Sequence, residues 1–203
     1  MIVVIDYNVG NVKSVCNAFQ HIGCGVKLSC KPDEIKGASG LVLPGVAAFG
    51  HAVEALGSLT ELIRKVAFDG TPLLGICVGH QLLFDQSSEY GRHNGLGLIH
   101  GNVVGLPPNR TVPHMGWNLV KLPEDMDLFA GLGKEKHLYF AHSFYADITD
   151  DRARIAYTDY GFDLAASVQK ENIYGVQFHP EKSGEIGLKI LRKFAEICKK
   201  ENS

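Results

Sequence analysis

The strongest constraint on the fold is an alternation in the first half of the chain. Short apolar runs with no polar interruption follow segments of helical period. Ile2-Val3-Val4-Ile5 is wholly β-branched and ends in Asp6, the pattern of a strand covered on both faces; a strand with one wet face would alternate. Residues 11–22 set Val12, Val15, Phe19 and Ile22 at helical spacing and stop at Gly23. Runs at 25–29 and 40–43 come next, the latter closed by Pro44-Gly45. Residues 50–68 are helical with a break at Gly57-Ser58, 72–76 form a fourth run, and 78–86 a further helix. Strand–helix repetition with short links predicts an α/β fold: a doubly wound, mostly parallel central sheet with helices on both faces.

The second half changes texture. β-like runs at 102–104, 117–122, 137–140, 154–158, 164–169 and 173–178 are separated by Gly, Pro, Asp and Asn. They predict a small antiparallel extension. Residues 183–199 form a last helix with Ile186, Ile190, Phe194 and Ile197 on one stripe. No repeat, low-complexity tract or composition shift marks a linker, so residues 1–203 read as one domain.

Composition removes several classes. With 45% hydrophobic and 21% charged residues the chain can build a core and is not disordered. A formal net charge of −2 provides no general field for nucleic acid or anionic membrane. Five cysteines, at 16, 24, 30, 77 and 198, contain no Cys-x-x-Cys pair, and the histidines lack metal-ligand spacing. Neither a disulfide framework nor a metal site is expected. No basic leader, cleavage-site pattern or bilayer-length apolar run is present, so a soluble cytoplasmic protein is expected.

The sharpest motif is Gly75-Ile76-Cys77-Val78-Gly79-His80-Gln81. A buried strand ends at Ile76 and a helix begins near Val78, which sets Cys77 on a tight strand-to-helix turn, as in a nucleophile elbow. Gly75 and Gly79 let the turn be sharp. The helix N-terminus below the sulfur favours thiolate, and the Val78 amide would face an oxyanion formed beside it. A buried core cysteine is the competing reading.

A second motif decides between them. In Gly175-Val176-Gln177-Phe178-His179-Pro180-Glu181 an apolar strand delivers His179 at its carboxyl end. On extended backbone His179 and Glu181 share a face, and Pro180 holds the segment out of helical geometry. Glu181 can orient the imidazole and His179 can serve as base toward Cys77. A third segment, 43–50, follows a strand and precedes a helix. In a doubly wound sheet it lines the same crevice, so an amide of Gly45 or Val46 would complete the oxyanion site. Segment 112–118 holds the only Trp, Trp117, and segment 138–144 is strand-like yet carries His142 and Ser143. The turn 6–11 lacks the three-glycine dinucleotide fingerprint and reads as a glycine turn with Asn11 as N-cap.

The Cys77 elbow together with His179-Pro180-Glu181 resembles the class I, triad-type glutamine amidotransferases. Segments 1–15, 43–50, 113–118, 139–144 and 175–184 are similar to the glutaminase subunits of imidazole glycerol phosphate synthases, in histidine biosynthesis, over essentially the whole chain. The resemblance implies that Cys77 attacks the carboxamide of glutamine, that His179 moves the proton and that Glu181 orients His179. It implies glutamine binding by Gln81, Glu89 and the Ser143-Phe144 backbone, and a mobile oxyanion strand at Gly45-Val46. It implies contact of Asn11, Trp117, Tyr139 and Lys182 with a (β/α)8-barrel synthase subunit in a heterodimer, and no cofactor. Asn8 and Ala47 stand where the family usually has Gly, and His80 where this subunit usually has Met. Two other readings stay open: a paralogue supplying ammonia for amidation of a bacterial surface sugar, and a stand-alone cysteine hydrolase or peptidase.

Overall fold

The computed structural model describes residues 1–200 of the 203-residue chain. Its first part contains β1 (Ile2–Ile5), α1 (Val12–His21), β2 (Val26–Ser29), α2 (Pro32–Lys36), β3 (Gly40–Leu43), α3 (Phe49–Leu56), α4 (Leu59–Phe68), β4 (Leu73–Ile76) and α5 (Val78–Gln81). There follow β5 (Gln86–Ser87), β6 (His93–Asn94), β7 (Gly101–Gly105), β8 (His114–Lys121), β9 (Glu135–His142) and β10 (Phe144–Ile148). The chain ends with β11 (Arg154–Asp159), β12 (Asp163–Lys170), β13 (Ile173–Val176) and α6 (Gly184–Lys200).

Nine strands form the main sheet in the order β2-β1-β3-β4-β13-β12-β11-β8-β9. From β2 to β13 the pairing is parallel, and from β13 outward it is antiparallel. The two textures of the sequence are these two regions. Every residue of β1, β3, β4 and β13 is buried, as continuous apolar runs require. In β9 the buried positions Leu138, Phe140 and His142 alternate with half-exposed ones, as on a strand with one wet face. The predicted antiparallel extension is therefore half of the main sheet, plus a separate four-stranded sheet, β10-β7-β5-β6.

Two local expectations change. The helix after the elbow spans only four residues, Val78–Gln81, and the predicted 78–86 span does not form. The amides of Leu83 and Phe84 tighten onto the carbonyls of His80 and Gln81, the Asp85 amide leaves for the Gly101 carbonyl, and the Leu96 amide takes the Leu82 carbonyl that residue 86 would need. So short a helix has little macrodipole, and the argument that it favours thiolate loses its weight. The helix α2 was not legible: it has five residues, Pro32 at its first position and one buried side chain, Ile35. No helix among the described residues is long and apolar enough to cross a membrane.

The parallel order brings the elbow after β4 beside the segment after β13 and close to the loop after β3. All three leave the carboxyl edge of the sheet, where open α/β sheets build their sites.

Candidate active site

Cys77 has φ 54° and ψ −108°, a left-handed conformation that is strained for a residue with a β-carbon. The two glycines are what permit it. A β-carbon on Gly75 would lie 2.5 Å from the Gly79 carbonyl oxygen, and one on Gly79 would lie 1.7 Å from the Leu43 carbonyl oxygen. The turn is pinned at both ends: the Cys77 amide donates to the Val176 carbonyl (2.8 Å) and the Gln81 amide to the Cys77 carbonyl (3.1 Å).

β13 delivers His179, which is 2% exposed. Its Nδ1 bonds Glu181 Oε1 at 2.9 Å, which leaves Nε2 free toward the cleft whose wall His179 shares with Cys77. Burial alone would depress the imidazole pKa. The nearby Cys77 and the bond to Glu181 outweigh it and carry the pKa up to about 9. The sequence brings His179 and Glu181 together for a reason other than the one expected. Pro180–Lys182 is a 3₁₀ turn rather than extended backbone. Proline fits the first position of such a turn because no amide is needed there. Asn11 Nδ2 adds a 3.3 Å bond to the same Glu181 oxygen. The segment is also fastened to the far edge of the sheet: the His179 amide donates to the Tyr139 carbonyl, and Ser183 Oγ accepts from the Tyr139 amide. Residues 179–183 thus cover the open edge of β9.

The amides expected to serve an oxyanion are not all presented. The Val78 amide is taken by the Gly45 carbonyl at 3.3 Å. Tyr7, at the end of β1, donates its hydroxyl to the preceding Pro44 carbonyl. Burial pushes the Tyr7 phenol up, and the nearby Cys77 adds to that rise. Val46 stands 54% exposed at the mouth of the site.

A cleft of about 360 Å³ opens over the sulfur. Its walls include Val46, Val78, Gln81, Glu89, Ser143, Phe144 and His179, so the loop after β3, the elbow and the β9–β10 turn converge there. Glu89 Oε2 accepts the Phe49 amide (2.7 Å) at the start of α3, which ties this carboxylate to the loop carrying Gly45. Gln81 Nε2 donates to the Phe144 carbonyl (2.8 Å), and the Ser143 carbonyl accepts from the Leu106 amide (2.9 Å). A buried thiol, a hydrogen-bonded imidazole, its carboxylate and a polar cleft make up the equipment for acyl transfer.

The family model for class-I glutamine amidotransferases matches residues 3–198. The chain belongs to the class I glutamine amidotransferase family. Two relatives carry the name imidazole glycerol phosphate synthase subunit HisH. That of Methanothermobacter thermautotrophicus is 45% identical over 98% of this chain and 100% of its own length. That of Lacticaseibacillus casei is 49% identical over 99% of this chain and 98% of its own. A solved glutamine amidotransferase structure superposes with a TM-score of 0.78 at 20% identity, covering 98% of this chain and 100% of that one. The PurLQS structure from Thermotoga maritima gives 0.76 at 21%, covering 96% and 97%. At such identities the solved structures show a shared fold.

Of the residues expected at a partner contact, Trp117, Tyr139 and Lys182 lie together, and Asn11 bonds Glu181, the residue before Lys182. Trp117 and Tyr139 meet edge to face with centroids 6.0 Å apart, and Lys182 Nζ lies 6.0 Å from the Tyr139 ring. Trp117 is 56% and Met115 65% exposed, an apolar patch beside the cleft mouth. Three groups carried no signal in the sequence of their own. Gln177, fully buried, approaches Cys77 Sγ with its Nε2 at 3.8 Å. His114 and His142 bond each other at 2.9 Å, and His142 Nδ1 bonds the Phe144 carbonyl at 2.8 Å. The polar His142 in the strand-like segment 138–144 was the only trace of this pair.

Proposed function

We propose that this protein is the cytoplasmic glutaminase subunit of an imidazole glycerol phosphate synthase. It hydrolyses glutamine to glutamate and ammonia and passes the ammonia to a (β/α)8-barrel partner, which makes imidazole glycerol phosphate and aminoimidazole carboxamide ribotide. The observation that carries this reading is that Glu181 holds His179 by a 2.9 Å bond and that His179 lines the same polar cleft as Cys77. Full-length identity of 45–49% to proteins named as a subunit of that synthase supports the choice of reaction and of a heterodimer.

The chemistry follows from the geometry. Nε2 of His179 takes the thiol proton while Glu181 holds the imidazole by Nδ1. Sγ attacks the carboxamide carbon, and the tetrahedral oxyanion needs two amide donors, from Val78 and Val46. Collapse breaks the C–N bond, and His179 returns its proton to the leaving nitrogen. Water then hydrolyses the thioester with His179 as base. Gln81, Glu89 and the Ser143-Phe144 backbone hold the substrate in this reading, and Asn11, Trp117, Tyr139 and Lys182 meet the partner. Ammonia freed into neutral water is mostly ammonium, which is no nucleophile, so an enclosed route to the acceptor preserves it.

The test is glutamate release by the purified protein alone, with the barrel subunit, and with that subunit loaded with its acceptor ligand. A slow basal rate that rises on addition of the loaded partner is expected. Fast, partner-independent turnover contradicts the proposal. Complementation of a histidine auxotroph checks the acceptor.

A further inference from the structure

Besides the triad and the oxyanion loop, two polar groups meet the sulfur: the Ala141 carbonyl, 3.9 Å from Sγ, which can only accept, and the side chain of Gln177, which can donate. Gln177 stands between Gln81 and Cys77: its Oε1 accepts from Gln81 Nε2 at 3.1 Å, and its Nε2 approaches Cys77 Sγ at 3.8 Å. The first contact decides the second. Gln81 Nε2 also donates to the Phe144 carbonyl, an oxygen that can only accept. Gln81 therefore offers N–H to Gln177, and Gln177 turns its own N–H toward the sulfur.

The direction is reinforced from the other side of Phe144. His142 Nδ1 donates to the same carbonyl, so its Nε2 is an acceptor and takes the bond from His114 Nδ1. Asn118 Nδ2 faces His114 Nε2 at 3.4 Å. Both imidazoles are neutral in this arrangement, and burial, the largest influence on each, holds His114 at about 4 and His142 at about 3. One carbonyl thus orients every hydrogen bond on a line running from β8 to the nucleophile.

We propose that Gln177 is a further catalytic residue: its side-chain amide donates to the Cys77 sulfur and stabilises the thiolate over the thiol, with its orientation set by Gln81 and the Phe144 carbonyl. An N–H donor gains much more from a charged sulfur than from a neutral one, and a fully buried donor is not outcompeted by water. The line places the glutamine-binding wall in contact with the nucleophile by a path separate from Glu181 and His179. The inference rests on Cys77 being the glutaminase nucleophile.

The test is the pH dependence of Cys77 alkylation by iodoacetamide in the full-length protein, with exposed Cys30 as internal reference. Gln177→Met keeps the volume and removes the donor. The other charged and titratable groups around the sulfur stay in place: His179 and Glu181 after β13, Tyr7 after β1, His142 on β9, and Glu89 and Lys182 in the cleft wall. The alkylation profile of Cys77 should move up by about half to one pH unit, with the rate at neutral pH falling roughly three- to ten-fold. With the partner present, kcat for glutamine should fall by a similar factor while KM stays within about two-fold. An unchanged Cys77 profile overturns the proposal. Alkylation needs no glutamine, so a shifted profile in a protein without glutaminase activity would support the donor and break the activity reading instead. Should Gln177→Met fail to fold, the Gln177 side-chain amide protons in the otherwise native protein are expected to move upfield on Cys77→Ala. Indifference to that change overturns the proposal as well.

Discussion

The Val78 amide donates to the Gly45 carbonyl at 3.3 Å. That bond spends the donor an oxyanion needs, and it points a carbonyl dipole of the wrong sign into the place where negative charge develops. Rotation of the Gly45-Val46 peptide would reverse both faults, releasing the Val78 amide and presenting that of Val46. Tyr7 fixes the Pro44 carbonyl immediately before this peptide, so the rotation can stay local.

The same loop holds Ala47, whose β-carbon narrows the backbone conformations open to a turning peptide. Ala47→Gly should therefore ease the rotation. Glycine relaxes the backbone by about 0.5–1 kcal/mol, which corresponds to roughly a two- to five-fold rise in partner-independent glutamate release. Steady-state assays on the isolated protein decide it, and a lower basal rate would contradict the argument.

Cys77→Ala removes the nucleophile but leaves the acceptor chemistry, which belongs to the partner in the proposed reaction. In the assembled complex glutamine-dependent synthesis should drop by several orders of magnitude, while synthesis from added ammonium salts persists. Loss of both activities would mean the chemistry has been misplaced.

His80 is fully buried, neither ring nitrogen has a hydrogen-bond partner among the described residues, and the ring meets Phe84 edge-on at 5.2 Å. His80→Met replaces two unsatisfied polar atoms with an apolar side chain suited to an aromatic edge. A stability gain of about 1–3 kcal/mol is expected, read from the denaturant midpoint, with catalysis retained. A loss of stability would show that the imidazole has a partner after all.

Stability should have two flanks in pH. Burial, the largest influence on all three, holds His80 and His142 at about 3 and His114 at about 4, below the unfolded value of 6.5. Each takes up a proton on unfolding in that window, so stability is whole above pH 6.5 and declines as pH falls from there toward 4 and 3. His179 behaves oppositely. Burial opposes its charge, but Cys77 and Glu181 raise it to about 9, so its contribution is present below 6.5 and fades as pH climbs through 9. Denaturant midpoints across pH 4–10 check both flanks. His179→Gln should flatten the alkaline side alone.

How much of this was legible in the sequence can be judged residue by residue. The Cys77 elbow was readable because its requirements are local: two glycines, two residues either way of the nucleophile, at the end of an apolar run. The His179–Glu181 contact was readable from their spacing, although the backbone between them is a 3₁₀ turn. The single turn of α5 was not, because the Asp85 amide is drawn to the Gly101 carbonyl and the Leu82 carbonyl to the Leu96 amide, and periodicity is blind to such competition.

The order of residues along the chain by itself determined the parallel layers, the elbow and the pairing of His179 with Glu181, since glycine tolerance, β-branching and short spacing act within a few bonds. Only the tertiary structure decided that the Gly45 carbonyl occupies the Val78 amide, that Gln177 faces the sulfur and that neither ring nitrogen of His80 finds a hydrogen-bond partner among the described residues. Those are matters of direction between segments far apart in the chain, and a hydrogen bond's direction is fixed by whichever rigid carbonyl the fold sets opposite it.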